Sequence, residues 1–281
     1  METALKNELA KIAINIRKYT LEAVYSAQSG HPGGSLSIAE VLAYLYFREM
    51  KIDPKNPRLE DRDRFVLSKG HCAPALYSAL ALKGYFPTDE MKNFRRLGSF
   101  LQGHPDMRGV PGVDMSTGSL GQGISAACGM ALSAKLSGKD YRVYAIMGDG
   151  EQEEGQVWEA AMFAAHYKLD NLTAWLDFNG LQIDGKLEDV MSPLPLPGKY
   201  KEFGWNVIEI DGHDFNQIET AYESAKLVKG KPTVIIARSI KGKGVSFMEN
   251  NASWHGSAPN TEQYNMAVAQ LDAALAELGV Q

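Results

Sequence analysis

Cysteine is scarce in this chain: Cys72 and Cys128 are two thiols in 281 residues. Two thiols build no disulfide framework, which excludes a stapled secreted fold and leads us to expect a reducing, cytoplasmic setting. An excess of basic charge is also lacking. The formal net charge is −5, which argues against a nucleic-acid surface. Glu2, Lys6, Glu8 and Lys11 break up the N-terminal stretch where an export signal needs an apolar run, so no such signal is expected there. Residues 115–134 carry no charge and match a membrane span in length. Their four glycines, with serines and alanines between them, point instead to a small-residue helix from about Gly121, packed inside the protein or against a partner. No membrane partner is therefore expected. Internal repeats and low-complexity tracts are absent as well.

What remains is the make-up of one large soluble domain: 44% hydrophobic and 22% charged residues, enough for a sizeable core. Leu5, Leu9, Ile12, Ile16 and Ala23-Val24 recur at helical spacing and open the chain with a long amphipathic helix. Ser37 is placed to cap a second helix over residues 38–47. Residues 64–67 read as a short strand and 73–82 as a helix. Residues 97–117, with Gly103, Pro105, Gly109, Pro111 and Gly112, read as a long loop of the kind that covers a site. Apolar runs at 143–147 and 172–176 flank a helical segment at 157–167, which is a βαβ unit. Residues 191–198 hold three prolines and cannot be a central strand; they are expected to arch over the sheet edge. Strands at 207–210 and 233–237 flank a helix at 215–227, residues 240–259 form a second long loop, and a final helix covers 262–278. This alternation predicts an α/β fold: a doubly wound, mainly parallel sheet flanked by helices, in a single domain over residues 1–281.

The first βαβ unit carries the chemistry. Gly148-Asp149-Gly150 follows its first strand, and Asn179-Gly180-Leu181 follows its second, thirty residues later. Both side chains then stand at the carboxyl ends of neighbouring strands, where open α/β sheets bind ligands. One carboxylate and one amide oxygen among glycines suit a hard cation such as Mg²⁺, which keeps its water and binds phosphate oxygens. The pair therefore asks for a diphosphate-bearing cofactor. Five of the six histidines, His31, His71, His104, His213 and His255, adjoin a glycine, whereas His166 lies in a helical stretch. Neutral or charged imidazole can donate a hydrogen bond to an oxygen that gains charge.

The spacing of Gly148-Asp149-Gly150 and Asn179 resembles the thiamine-diphosphate motif, and the chain from about residue 12 to about residue 259 resembles the N-terminal, diphosphate-binding half of transketolase. The likeness rests on pieces in the family's order. These are Ser29-Gly30-His31-Pro32-Gly33, the run from Asp63 to His71, Gly118-Ser119-Leu120-Gly121-Gln122-Gly123, the two metal-motif segments with Glu154-Gly155 and Gln182-Ile183-Asp184-Gly185, and His255-Gly256.

That resemblance implies the thiamine-diphosphate-binding fold, with thiamine diphosphate and Mg²⁺ as cofactors. It implies Asp149, Asn179 and the Leu181 carbonyl as metal ligands. It implies cofactor contacts from His71, Gly118, Leu120, Gly150, Glu154, Asn179, Ile183 and His255. Gly150 is expected to leave its N–H open to a phosphate oxygen. His31, His104 and His255 are implied to face the sugar and the reacting centre, and Glu154 to join a hydrogen-bond network between two cofactor sites. Ser119 stands where the family often has proline. His213 receives no role, and a turn or helix cap is its reading.

The implied reaction moves a two-carbon ketol unit from a ketose phosphate to an aldose phosphate, with the pentose phosphate pathway as default. The pyrimidine-binding and C-terminal domains are expected on a separate chain. A split enzyme follows as an expectation: an α₂β₂ assembly with a separate C-terminal subunit, this chain being inactive alone. Deoxyxylulose-phosphate synthase shares the metal motif, but Leu67-Ser68-Lys69-Gly70-His71 has the transketolase form. The α chain of a 2-oxo acid dehydrogenase fits the histidine set less well. A split enzyme for unusual or sulfonated sugars, or a non-catalytic cofactor-binding partner, remain as alternatives.

Overall fold

A computed structural model describes residues 1–279; Val280 and Gln281, the end of the expected 1–281 domain, lie outside the described residues. In chain order the helices are α1 (Thr3–Ala27), α2 (Pro32–Leu36), α3 (Ala39–Tyr44), α4 (Ala73–Lys83), α5 (Gln122–Leu136), α6 (Gly155–His166), α7 (Leu187–Val190), α8 (Leu196–Glu202), α9 (Phe215–Leu227) and α10 (Thr261–Glu277). The strands are β1 (Arg64–Leu67), β2 (Val143–Gly148), β3 (Leu172–Phe178), β4 (Leu181–Gln182), β5 (Gly185–Lys186), β6 (Asn206–Asp211) and β7 (Thr233–Arg238).

Five strands form one parallel sheet in the order β1-β2-β3-β7-β6. The central strands are apolar throughout because both sheet faces are covered. Tyr144, Ile146, Trp175 and Ile235 point to the face packed by α1, α3, α4 and α9. Val143, Ala145, Met147, Ala174, Leu176 and Ile236 point to the face packed by α5, α6 and α8. A third, smaller cluster seats α10 against α1 through Ile14, Leu21, Ala267 and Leu271. Among the described residues, no helix is long and apolar enough to cross a membrane.

The chain lays down β1, β2 and β3 as neighbours, jumps to the edge with β6, and returns with β7 beside β3. The order therefore reverses between β3 and β7. A crevice opens at such a switch point, outside the carboxyl ends of the strands.

Three local features differ from expectation. Ser37 caps no helix: α3 begins after Ile38 without a side-chain cap. The Ser37 hydroxyl instead donates to the Asp177 carboxylate at 2.7 Å and lies 3.0 Å from the Gly34 carbonyl, a buried acceptor outcompeting a local turn. The proline-rich segment does run beside edge strand β6, but it winds into α8. Pro197 sits in the first turn of α8, where its missing N–H costs nothing, and Leu196 and Tyr200 are buried. Finally, β4 and β5 form a small antiparallel hairpin directly after Asn179.

Helix α5, uncharged as far as Ala134, buries one face, with Gly123, Ile124, Ala127, Cys128, Ala131 and Ala134. Gly123 touches the end of β1: a Cβ there would stand 2.6 Å from Ser68 Cα. Gly129, on the same helix, has open space around it. Gly123→Ala should therefore destabilise by about 1–3 kcal/mol through overpacking. Gly129→Ala should stabilise by up to about 1 kcal/mol through helix propensity. Urea unfolding of the two variants checks the contrast; equal effects contradict the close approach at Ser68.

Candidate active site

Four strand ends supply the site. β1 leads into Ser68, Lys69 and His71; β2 into Asp149 and Gly150; β3 ends at Asp177 and leads into Asn179 and Leu181; β7 leads into Ser239 and Lys241. A cavity of about 350 Å³ opens over them. It is lined by His31, His71 and His255, by Gly118, Leu120 and Ile183, and by Asp149, Gly150, Glu154, Asn179, Leu181 and Lys241, among others. Every expected site residue except His104 thus lines one cavity. His104 is exposed and stands at the rim, where its ring packs against Gly118. Gly118 has φ +149°, and a Cβ there would lie 3.1 Å from that ring, so glycine is what permits the approach.

Asp149 is 3% exposed. Its Oδ2 accepts the N–H groups of Asn179 at 2.8 Å and Gly180 at 2.6 Å, and its Oδ1 that of Gly150 at 2.8 Å. The Gly150 N–H, expected to point at a phosphate, is thus given to the carboxylate beside it, the nearest acceptor. Burial and the charge of Asp177 push the Asp149 carboxyl up to about 6. A carboxylate strained in this way is relieved by a cation. The Asn179 amide donates to Asp177 at 3.1 Å, and its oxygen accepts the Leu181 N–H at 3.1 Å. Among the described residues, no three His, Cys, Asp or Glu side chains cluster to hold a metal. One carboxylate, one amide and one carbonyl are a ligand set for a hard cation shared with phosphate oxygens.

Two buried lysines complete the floor, and neither was given a role from the sequence. Lys69 Nζ pairs with Asp177 Oδ2 at 2.6 Å and donates to the Gly34 carbonyl at 2.9 Å. Asp177 also accepts from the Ser239 hydroxyl. Burial opposes both charges of the pair, yet each holds the other ionised. Lys241 Nζ lies 3.1 Å from the Leu181 carbonyl and 3.1 Å from His255 Nδ1. Burial, then repulsion from Lys69, lower its pKa. Both lysines follow parallel strands within glycine-bearing segments, the signal that marked Asp149. Glu151, next to Gly150, is also buried. It accepts from the Ser68 hydroxyl, from Gly121 N–H at 2.8 Å and from Gly148 N–H at 3.0 Å, tying the start of α5 to β2.

His31, His71 and His255 pack with ring centroids 5.2–5.5 Å apart. Burial lowers the pKa of all three. Arg95 assists at His31, which falls to about 4, and Lys241 at His255, which falls to about 3. His71 falls well below the ordinary value, with Lys69 assisting. All three imidazoles are neutral at pH 7. His31 Nδ1 is buried without a hydrogen-bond partner, and a ligand hydroxyl could satisfy it. Glu154, at the start of α6, is exposed and lies against Gly121. Ile183 is 62% exposed at the tip of the β4–β5 hairpin.

Residues 9–274 match the family described as transketolase, thiamine diphosphate binding domain. The chain is 52% identical over 257 residues to the 6-deoxy-6-sulfo-D-fructose transketolase subunit SqwG of Clostridium sp. (strain MSTE9), covering 92% of this chain and 94% of that one. It is 45% identical over 262 residues to an apulose-4-phosphate transketolase subunit from Phocaeicola vulgatus, covering 93% of each. The crystal structure of a transketolase variant from Pichia stipitis superposes with a TM-score of 0.88 at 34% identity, covering 96% of this chain but 44% of that one. The chain thus spans nearly the whole of the subunit-type relatives and under half of the single-chain enzyme.

The neutral histidines carry a pH signature. Between pH 6.5 and about 4 the unfolded chain takes up protons that His31 and His255 refuse when folded. Stability must fall as pH drops through that window. Replacing both histidines by glutamine should lessen the loss. Melting temperature followed from pH 7 to pH 4 checks this; parallel curves for parent and variant contradict the neutral cluster.

Proposed function

The chain belongs to the transketolase family and carries its thiamine-diphosphate-binding domain, and from that premise we propose that it is the cofactor-holding N-terminal subunit of a two-chain transketolase that transfers ketol groups. One observation carries the proposal. Asp149, Asn179, Leu181 and Lys241 line one cavity at the sheet's switch point, with the Lys241 ammonium 3.1 Å from the Leu181 carbonyl. Such a floor suits Mg²⁺ bound to a diphosphate. Asp149, Asn179 and the Leu181 carbonyl hold the metal, while Lys241 and His71 face the diphosphate. Gly118, Leu120 and Ile183 line the walls around the rings, and Gly150 leaves the backbone low.

When bound, thiamine diphosphate supplies the electron sink for carbon–carbon cleavage. The protein's part is position and electrostatics. His31, His104 and His255, as neutral imidazoles, hydrogen-bond the sugar hydroxyls and the carbonyl oxygen that gains charge. Glu154, exposed beside α5, faces a neighbouring chain and joins the network between cofactor sites.

A partner chain is part of the reading. The buried acids that line the cavity, Asp149 and Glu151, are committed to backbone N–H groups and the Ser68 hydroxyl. Neither is free to protonate an aminopyrimidine. We assign that acid, with the pyrimidine-binding and C-terminal domains, to a separate subunit in an α₂β₂ enzyme of the cytoplasm. Two relatives are named for sulfofructose and apulose 4-phosphate. This favours a donor other than the straight-chain pentose phosphates, and the 52% identity to the sulfofructose subunit favours a sulfonated ketose.

Asp149→Ala should abolish Mg²⁺-dependent thiamine diphosphate binding while the fold survives, and Asn179→Ala should weaken it less, a neutral ligand contributing less charge. Calorimetric titration of the assembled complex measures both; unchanged affinity in Asp149→Ala sinks the metal assignment. His104→Ala should raise the apparent KM for the ketose donor or lower kcat, leaving cofactor affinity nearly intact, whereas His71→Ala should weaken cofactor binding. Equal losses of cofactor affinity in both variants contradict this division.

A further inference from the structure

His213 stands away from the cavity, in the turn after β6, yet both its ring nitrogens are engaged. The Ile240 N–H donates to Nε2 at 2.9 Å, and Nδ1 lies 3.1 Å from Glu40 Oε2. A backbone amide can only donate, so Nε2 must offer its lone pair. The ring hydrogen then sits on Nδ1 and is donated to Glu40. The helix cap next door is a different residue: Asp214 accepts the Asn216 N–H at the start of α9.

Glu40 is itself held. Arg17 Nη2 reaches both its oxygens, at 2.7 and 2.6 Å, while Arg17 Nε donates to the Leu36 carbonyl at 3.1 Å. Side-chain exposures of 5% for Arg17, 9% for Glu40 and 12% for His213 leave little water to compete. Burial opposes the Glu40 charge, but Arg17 and the His213 hydrogen bond overcome it and bring the carboxyl down to about 2. The chain of contacts runs from α1 through α3 to the turn after β6, and ends on the residue before Lys241. That residue opens the loop carrying both Lys241 and His255.

We propose that His213 is a positioning residue: its hydrogen bond to Ile240, backed by Glu40 and Arg17, sets the start of this loop so that the Lys241 ammonium meets the cofactor's diphosphate. The proposal rests on the reading of Lys241 given under the proposed function. Partners that orient metal ligands change affinity by about 10–100-fold when removed, and a group acting through the backbone is expected at the lower end of that range.

The experiment uses the assembled two-subunit enzyme with thiamine diphosphate and Mg²⁺, titrated calorimetrically, together with amide hydrogen exchange of the loop. His213→Leu should weaken cofactor affinity about tenfold and speed exchange across residues 239–248. His213→Gln keeps an acceptor and a donor and should recover most of both. Lys241→Ala should weaken affinity without speeding loop exchange, and the double variant with His213→Leu should be no weaker than Lys241→Ala alone. Unchanged affinity in Lys241→Ala overturns the diphosphate reading and this proposal with it. A weakened Lys241→Ala beside an unaffected His213→Leu, or additive losses in the double variant, overturns the positioning role alone. Nitrogen NMR of the parent chain needs no variant to fold: a His213 ring protonated on Nδ1 supports the relay, and one protonated on Nε2 overturns it.

Discussion

The buried ion pair between Lys69 and Asp177 is the contact on which the site's geometry depends. Its 2.6 Å separation joins the end of β1 to the end of β3 across the intervening β2. The same carboxylate takes hydroxyls from Ser37 and Ser239 and the amide of Asn179. Removing either charge would leave the other buried and unpaired, a penalty of about 3–5 kcal/mol. With the pair intact, Asn179 has its amide nitrogen committed inward, and the register of its oxygen follows. The loop after β7 is fixed through Ser239 in the same way, and with it Lys241. A structural pair thus sets Asn179 directly and Lys241 through Ser239.

Electrostatic consequences follow from that arrangement. Lys69 is neutralised by Asp177, whereas Lys241 has only carbonyl and imidazole neighbours within hydrogen-bond reach. Its charge, and the strain of the buried Asp149 carboxylate, would both be relieved by the metal and diphosphate of the proposed function. The imidazole cluster cannot supply a second positive centre, because burial and the lysines keep it neutral. On the proposed reading, charge recognition therefore belongs to the strand ends, and hydroxyl recognition to the histidines above them.

Much of this was legible in the sequence, for physical reasons. Strands buried on both faces must be apolar throughout, so β2, β3 and β7 stood out, and the strand-end rule located Asp149 and Asn179. The histidines showed themselves because glycine loops bring side chains to a ligand. Ser37 misled because a serine before an apolar helix is a capping pattern, while its actual partner, Asp177, lies 140 residues away. Asp177 itself, a lone acid closing an apolar strand, gains meaning only when Lys69 is seen beside it. The β4–β5 hairpin has two-residue strands, too short to show any period. Helix α8 was hidden because the prolines that forbid a strand are tolerated in a helix's first turn. His213 was passed over because its partners, Glu40 and Ile240, are distant in sequence on both sides.

On the proposed reading the cavity is half of a site, with a floor for a metal and a diphosphate and a rim of imidazoles, and its buried acids are already committed. Glu154, exposed at the start of α6, lies against Gly121 just before α5. The most direct measurement is ketol transfer by the purified chain with thiamine diphosphate and Mg²⁺ in excess, without and with a C-terminal transketolase subunit. The account predicts no transfer by the chain alone and robust turnover once the second subunit is added. Robust transfer by this chain free of any co-purifying partner would contradict it.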